Sequence, residues 1–181
     1  MIEEFQGQYR WLSNFEPVQI ELHGTVYPSV EHAYQSAKNN DPQWKIICAA
    51  PDRTTGQIKR LGKTVELAPT WNAEKLKVML ICLMQKFAQE PFLTKLLETD
   101  NQIIQEGNMW NDKFWGVCLK TGEGMNHLGR MIMDIRRDIL DDRSTEEVHC
   151  CICGIDIKHT GNKLFCKEHG KPIKNNNEKK V

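Results

Sequence analysis

The chain has 181 residues, 40% hydrophobic and 27% charged, with 24 Lys and Arg balanced by 24 Asp and Glu. That length suits one domain with a core of ordinary size plus a small appendage. Balanced charge without a basic stripe disfavours a nucleic-acid-binding protein proper, and the longest strongly apolar run, Val78 to Met84, is far below the roughly 20 residues that span a bilayer.

Residues 1 to about 26 read as strand-like and turn-rich: Val18, Ile20 and Leu22 alternate with polar residues, and His23-Gly24 makes a turn. Pro28 and Ser29 open a helix over about 29–40, which Asn39-Asn40-Asp41-Pro42 stops. Short helices are predicted from Pro42 to Ala50 and over 54–61. The longest periodic segment covers 70–89, where Leu76, Met79, Leu80, Leu83 and Phe87 recur at helical spacing and Thr70 stands as a cap. Pro91 begins another short helix through about Glu98, and a last helix spans 125–142 with Leu128, Ile132, Ile135 and Ile139 inward. The fold expected is mainly α, an α+β domain with a small N-terminal β element. Cys48, Cys82 and Cys118 lie scattered in apolar surroundings, and no signal peptide opens the chain. Both features lead to the expectation of reduced core cysteines in a soluble, cytoplasmic protein.

The most informative stretch is Tyr27 to Lys38. At about 100° per residue, Glu31, Tyr34, Gln35 and Lys38 fall on one exposed-looking side of the helix, while Val30, Ala33 and Ala37 share another. Glu31 sits in the first turn, where the helix dipole favours a carboxylate. Such a stripe reads either as a pocket wall or as a solvated face.

Three further clusters mix polar and aromatic residues. Phe5 to Phe15 carries Arg10, Ser13 and Asn14 among aromatics, which suits a phosphate and a stacked ring, or equally a buried N-terminal strand with one salt bridge. Glu106 to Gly116 holds Asn108, Trp110, Asp112 and Trp115, groups that are costly to bury without a purpose but that also form turns. Gly122 to Gly129 is a Gly-rich loop entering a helix at Asn126, whose free amides can receive a phosphate.

Composition changes after Asp141-Asp142-Arg143-Ser144, which places the main domain at 1–143, a small module at 144–172 and a polar tail at 173–181. Cys150-x2-Cys153 and Cys166-x2-His169 have the spacing of a tetrahedral zinc site. With four protein ligands it would be closed and structural, a zinc knuckle that docks a partner or a nucleic acid.

Together the main-domain motifs resemble the NADAR family, also called YbiA-like: Phe5-x-Gly7-x-Tyr9-Arg10-x-Leu12-Ser13-Asn14-Phe15, then Tyr27 to Gln35, Lys38, Trp71 and Lys86-Phe87. Glu106-Gly107-Asn108, Trp110-x-Asp112-x-x-Trp115-Gly116 and Asn126-x-Leu128-Gly129-x-x-x-Met133-x-x-Arg136 complete it. Asn72 and Asn111 depart from the Asp and Gly usual there. The resemblance implies an N-glycosidase that cleaves a ribose C1–N bond, with no redox cofactor. Its implied substrate is ADP-ribose on guanine in nucleic acid or a small ribosylamino-pyrimidine from riboflavin synthesis; a silent ADP-ribose-binding adaptor is the reading from another class. Glu31, Lys38 and Asp112 are then the catalytic candidates. Substrate binding would involve Arg10, Ser13, Asn14, Tyr34, Trp71, Glu106, Asn108, Trp110, Trp115 and Asn126. Two routes are open, a carboxylate-stabilised oxocarbenium ion or a Schiff base on Lys38.

Overall fold

The computed structural model describes residues 1–144 together with 148–149 and 156–157. A 3-10 helix, Gly7–Leu12, stands where the sequence left a strand open, and Leu12 is its buried anchor. Strands β1 (Pro17–Leu22) and β2 (Thr25–Ser29) pair antiparallel, with Ile20 opposite Tyr27. The turn between them needs two left-handed residues, supplied by His23 at φ 52° and Gly24 at φ 77°. β1 buries alternate residues as its sequence pattern requires. β2 escaped the sequence reading because Pro28, a helix-entry signal, sits inside it.

Six helices follow the expected order: α1 (Val30–Ser36), α2 (Pro42–Ala49), α3 (Thr55–Leu61), α4 (Trp71–Phe87), α5 (Phe92–Leu97) and α6 (His127–Ser144). Local chemistry starts them. Asp41 accepts from the Gln43 amide to cap α2, and Thr54 with Gln57 closes a capping box on α3. Thr70 makes no capping bond, contrary to expectation; the start of α4 is held instead by the Trp71 amide donating to the Ala68 carbonyl. Val78, Met79, Ile81, Cys82, Leu83 and Phe87 of α4 are all buried, so this helix is the central beam of the core. Leu128, Ile132, Ile135 and Ile139 bring α6 onto it, as their spacing predicts. Cys48, Cys82 and Cys118 are free and buried.

Two very short strands escaped the sequence reading. β3 (Gly107–Asn108) and β4 (Val117–Cys118) pair in parallel, too brief to show a period of two. Gly116 is required beside them, because a Cβ there would lie 2.1 Å from the Glu106 carbonyl oxygen. In the tail, β5 (Val148–His149) and β6 (Asp156–Ile157) pair antiparallel. The proposed zinc ligands Cys150, Cys153, Cys166 and His169 lie outside the described residues. No helix among the described residues is long and apolar enough to cross a membrane.

Candidate active site

The site is built on α1. Ser29 adopts the extended N-cap conformation and its hydroxyl accepts the His32 amide at 3.3 Å. The Glu31 amide donates to the Asn14 carbonyl at 3.0 Å and ties the helix start to the N-terminal loop. The Glu31 face of α1, exposed-looking in composition, is buried. Glu31, Tyr34 and Gln35 are only 5%, 7% and 4% exposed. They face a cavity of about 390 Å³ closed off by α3, α4 and the 106–115 loop. A wider hollow of about 530 Å³ between Thr25 and α2 has Lys45 as its one ionisable lining residue and gathers no chemistry.

Three carboxylates converge on the cavity: Glu31, Glu106 and Asp112. Gln35 donates to Glu31 Oε1 at 2.8 Å across one helical turn. Burial pushes the Glu106 carboxyl up to about 7; the Asp112 charge adds to this, Lys59 opposes it and Glu31 adds a smaller push. Asp112 Oδ1 accepts the Phe114 and Trp115 amides at 3.0 and 2.9 Å, so the loop fixes this carboxylate as it fixes Trp115.

The helix stops one turn sooner than its sequence suggests. Ala37 is the cap of α1, and the Lys38 amide bonds back to the Gln35 carbonyl. Lys38 therefore lies just past the helix, with Nζ donating to the Gly62 carbonyl at 2.8 Å. Burial lowers its pKa, the Glu31 charge opposes that, and Lys59 and Lys63 reinforce it. A partly desolvated amine and an acid that titrates near neutrality thus line one cavity.

Aromatic rings stiffen the wall. Tyr34 packs on Trp71 at 5.0 Å and edge-on against Trp115 at 5.6 Å. Burial, then the Glu31 charge, pushes the Tyr34 phenol far above its ordinary range, so it stays a protonated donor. Trp115 lines the cavity, and Trp110 stands at its edge, 64% exposed. Trp71 supports Tyr34 from behind rather than lining the cavity.

Two residues expected to bind substrate lie off the cavity lining and hold the surrounding loops. Asn108 spends its side chain on the loop, donating to the Asp112 and Val117 carbonyls and accepting the Asp112 amide. Asn126 accepts the Glu106 amide at 3.0 Å and donates to the Ile104 carbonyl at 2.9 Å, and it is not among the residues lining the cavity. Arg10, Ser13 and Asn14 do line the cavity. Asn111 has φ 65°, a left-handed conformation that asparagine tolerates and glycine accepts freely, so its departure from the usual Gly is conservative.

Sequence reasoning missed Lys59 and Lys63, which α3 and its following turn bring to the cavity. The spacing of basic residues around Gly62 was the available signal. Gly62 itself matters because a Cβ there would lie 1.9 Å from Gln35 Oε1. Its φ of −66° suits alanine, so Gly62→Ala is expected to push the Gln35 carboxamide off Glu31 rather than strain the backbone. We expect a roughly tenfold lower kcat, as for a displaced hydrogen bond to a charged group, with the melting temperature shifted by only a few degrees. Steady-state kinetics beside thermal melts check both.

Among the described residues, no group of three or more His, Cys, Asp and Glu side chains is arranged to hold a metal. Fold and cavity thus define an α+β protein with a partly enclosed pocket that sets carboxyl groups and an amine against aromatic rings. The chain belongs to the NADAR family, whose domain matches residues 2–140. It is 32% identical over 138 residues to an N-glycosidase of Nostoc punctiforme, covering 72% of this chain and 86% of that protein. It is 34% identical over 145 residues to the chloroplastic riboflavin biosynthesis protein PYRR of Zea mays, of which it spans only 23%. The NMR structure of Escherichia coli YbiA superposes with a TM-score of 0.69 at 25% identity, over 82% of this chain and 92% of that one.

Proposed function

We propose that this cavity hydrolyses the bond between a ribose C1 carbon and a nitrogen, and that the sugar is ADP-ribose attached to guanine in nucleic acid. The hydrolase class rests on family membership and on relatives that are named N-glycosidases. The observation that carries the chemistry is the meeting of Glu31, Glu106 and Lys38 on one cavity beside Trp110 and Trp115. Breaking a C1–N bond builds positive charge on the sugar and negative charge on the departing nitrogen. Glu31 supplies charge to the first, and the Glu106 carboxylic acid protonates the second.

In the covalent route the ribosyl ring opens and the Lys38 amine adds to C1, giving a Schiff base as the C1–N bond to the base breaks. Water then adds to C1 and releases the amine, so the net change is one water consumed and one base freed. Trp110, exposed at the cavity edge, offers a flat face to a base still attached to a larger molecule. Arg10 and Ser13 are the remaining choices for a phosphate from the sequence reading. A small ribosylamino-pyrimidine is the second reading, favoured by relatives from maize and Vibrio vulnificus that are named riboflavin biosynthesis proteins.

The test is release of free ADP-ribose from a DNA oligonucleotide ADP-ribosylated on guanine, against release of pyrimidine from its ribosylamino form. Faster turnover of the oligonucleotide supports the first reading. Turnover of the pyrimidine alone replaces it with the second, and turnover of neither removes both. With either substrate, direct attack by water should slow as pH rises through about 7, because the acid form of Glu106 is lost. Glu106→Gln should lower kcat by about 100-fold and flatten that alkaline limb. A limb that survives the substitution assigns the proton to another group.

In the tail, three thiols and one imidazole form a donor set that fits zinc. There Cys150, Cys153, Cys166 and His169 would hold a structural ion in a module that docks the polymeric substrate.

A further inference from the structure

Lys86 is the most completely buried charged residue described, with no exposed surface at all. Its amine lies 5.4 Å from the Phe87 ring centroid and 5.0 Å from that of Phe92, and donates to the Ser13 carbonyl at 2.7 Å. Burial pushes that amine down to about 7, with Glu16 opposing. Burying an ammonium is costly, and a leucine or methionine would fill the same space without that cost. What an apolar side chain lacks is a directed bond to Ser13.

The peptide that Lys86 grips forms part of the cavity wall. Ser13 and Asn14 both line the cavity. The Asn14 carbonyl accepts the Glu31 amide at 3.0 Å, so the residue next to Ser13 fixes the start of α1. Asn14 is only 8% exposed, yet its Oδ1 has no hydrogen-bond partner among the described residues; its Nδ2 meets only the Met79 sulfur at 3.4 Å. Asn14 lines the cavity, so this unpaired acceptor sits in the wall that a ligand would meet. Trp11, packed edge-on against Phe87 at 6.3 Å, holds the preceding 3-10 helix to the same turn of α4.

We propose that Lys86 is a positioning residue, which holds the Ser13–Asn14 peptide so that Asn14 Oδ1 accepts a hydroxyl or amino hydrogen of the substrate beside Glu31. The inference rests on the N-glycosidase reading for its consequence, but not for its geometry. The Asn14 side-chain amide signal, identified in 15N-labelled protein by its loss in Asn14→Ala, reports the geometry without any substrate. In Lys86→Met that signal is expected to broaden or split, while Ile132→Val, a core control, leaves it in place. On an active substrate, Lys86→Met should lower kcat/KM at least tenfold. Adding Asn14→Ala should then cost little more, and Lys86→Gln, which keeps an N–H donor, should recover part of the loss. Should Lys86→Met not fold, Lys86→Gln carries the same comparison, with an intermediate change expected in both readouts. An unchanged Asn14 signal, or losses from Lys86 and Asn14 that simply multiply, overturns the proposal. If the native protein cleaves no N-glycoside while the Asn14 signal still loosens, the functional reading fails and the positioning role stands.

Discussion

Glu31→Gln is expected to reduce kcat by about 100- to 1,000-fold, the usual loss when a preorganised electrostatic contact to the transition state is removed. The substitution takes away one charge and almost nothing else. Glutamine matches the shape of glutamate, and its amide oxygen can still accept from Gln35, which donates to Glu31 Oε1 at 2.8 Å. The backbone bond from residue 31 to the Asn14 carbonyl is untouched. Folding should therefore be preserved, and a melting temperature within a few degrees of native would show that the lost rate is chemical. The loss should fall on kcat rather than KM, because the positive charge on C1 exists only in the transition state. A variant within threefold of native kcat would remove Glu31 from the chemistry and leave Asp112 as the carboxylate candidate.

The Tyr27–Lys38 stretch was legible because four polar residues fell on one side of a helix whose other side was only Val and Ala. Its burial was not. Whether such a stripe meets water or a cavity depends on what packs over it, and here α3 and the 106–115 loop come from distant sequence. The place of two asparagines was hidden for a related reason. Asn108 and Asn126 look like ligand-binding groups in sequence, but the same donors and acceptors can close a loop, and here they do. Lys59 and Lys86 sit at ordinary helix positions and Lys63 in the turn after α3; the basic cluster around Gly62 hints at Lys59 and Lys63, but nothing local shows that Lys86 is locked in the core. Helix positions were far easier to read, because capping residues, prolines and apolar periodicity act within one or two turns.

Lys38→Ala should abolish turnover, a loss of at least about 1,000-fold, if the lysine amine is the nucleophile. Its surroundings suit a nucleophilic amine. Burial lowers its pKa, the Gly62 carbonyl orients Nζ at 2.8 Å, and Lys59 and Lys63 add to the depression. A lowered pKa means that more of the reactive neutral amine is present at a given pH than for an ordinary lysine. The decisive measurement is borohydride reduction during turnover, read as a mass increase on the intact protein. Native protein should retain one sugar, and Lys59→Ala should retain it as well, since Lys59 tunes the neighbouring charge without forming the bond. Lys38→Ala should retain none. An adduct that persists in Lys38→Ala would move the nucleophile to another amine. A Lys38→Ala variant that still turns over would exclude the Schiff base altogether, and Glu31 would then act on a free oxocarbenium ion attacked directly by water.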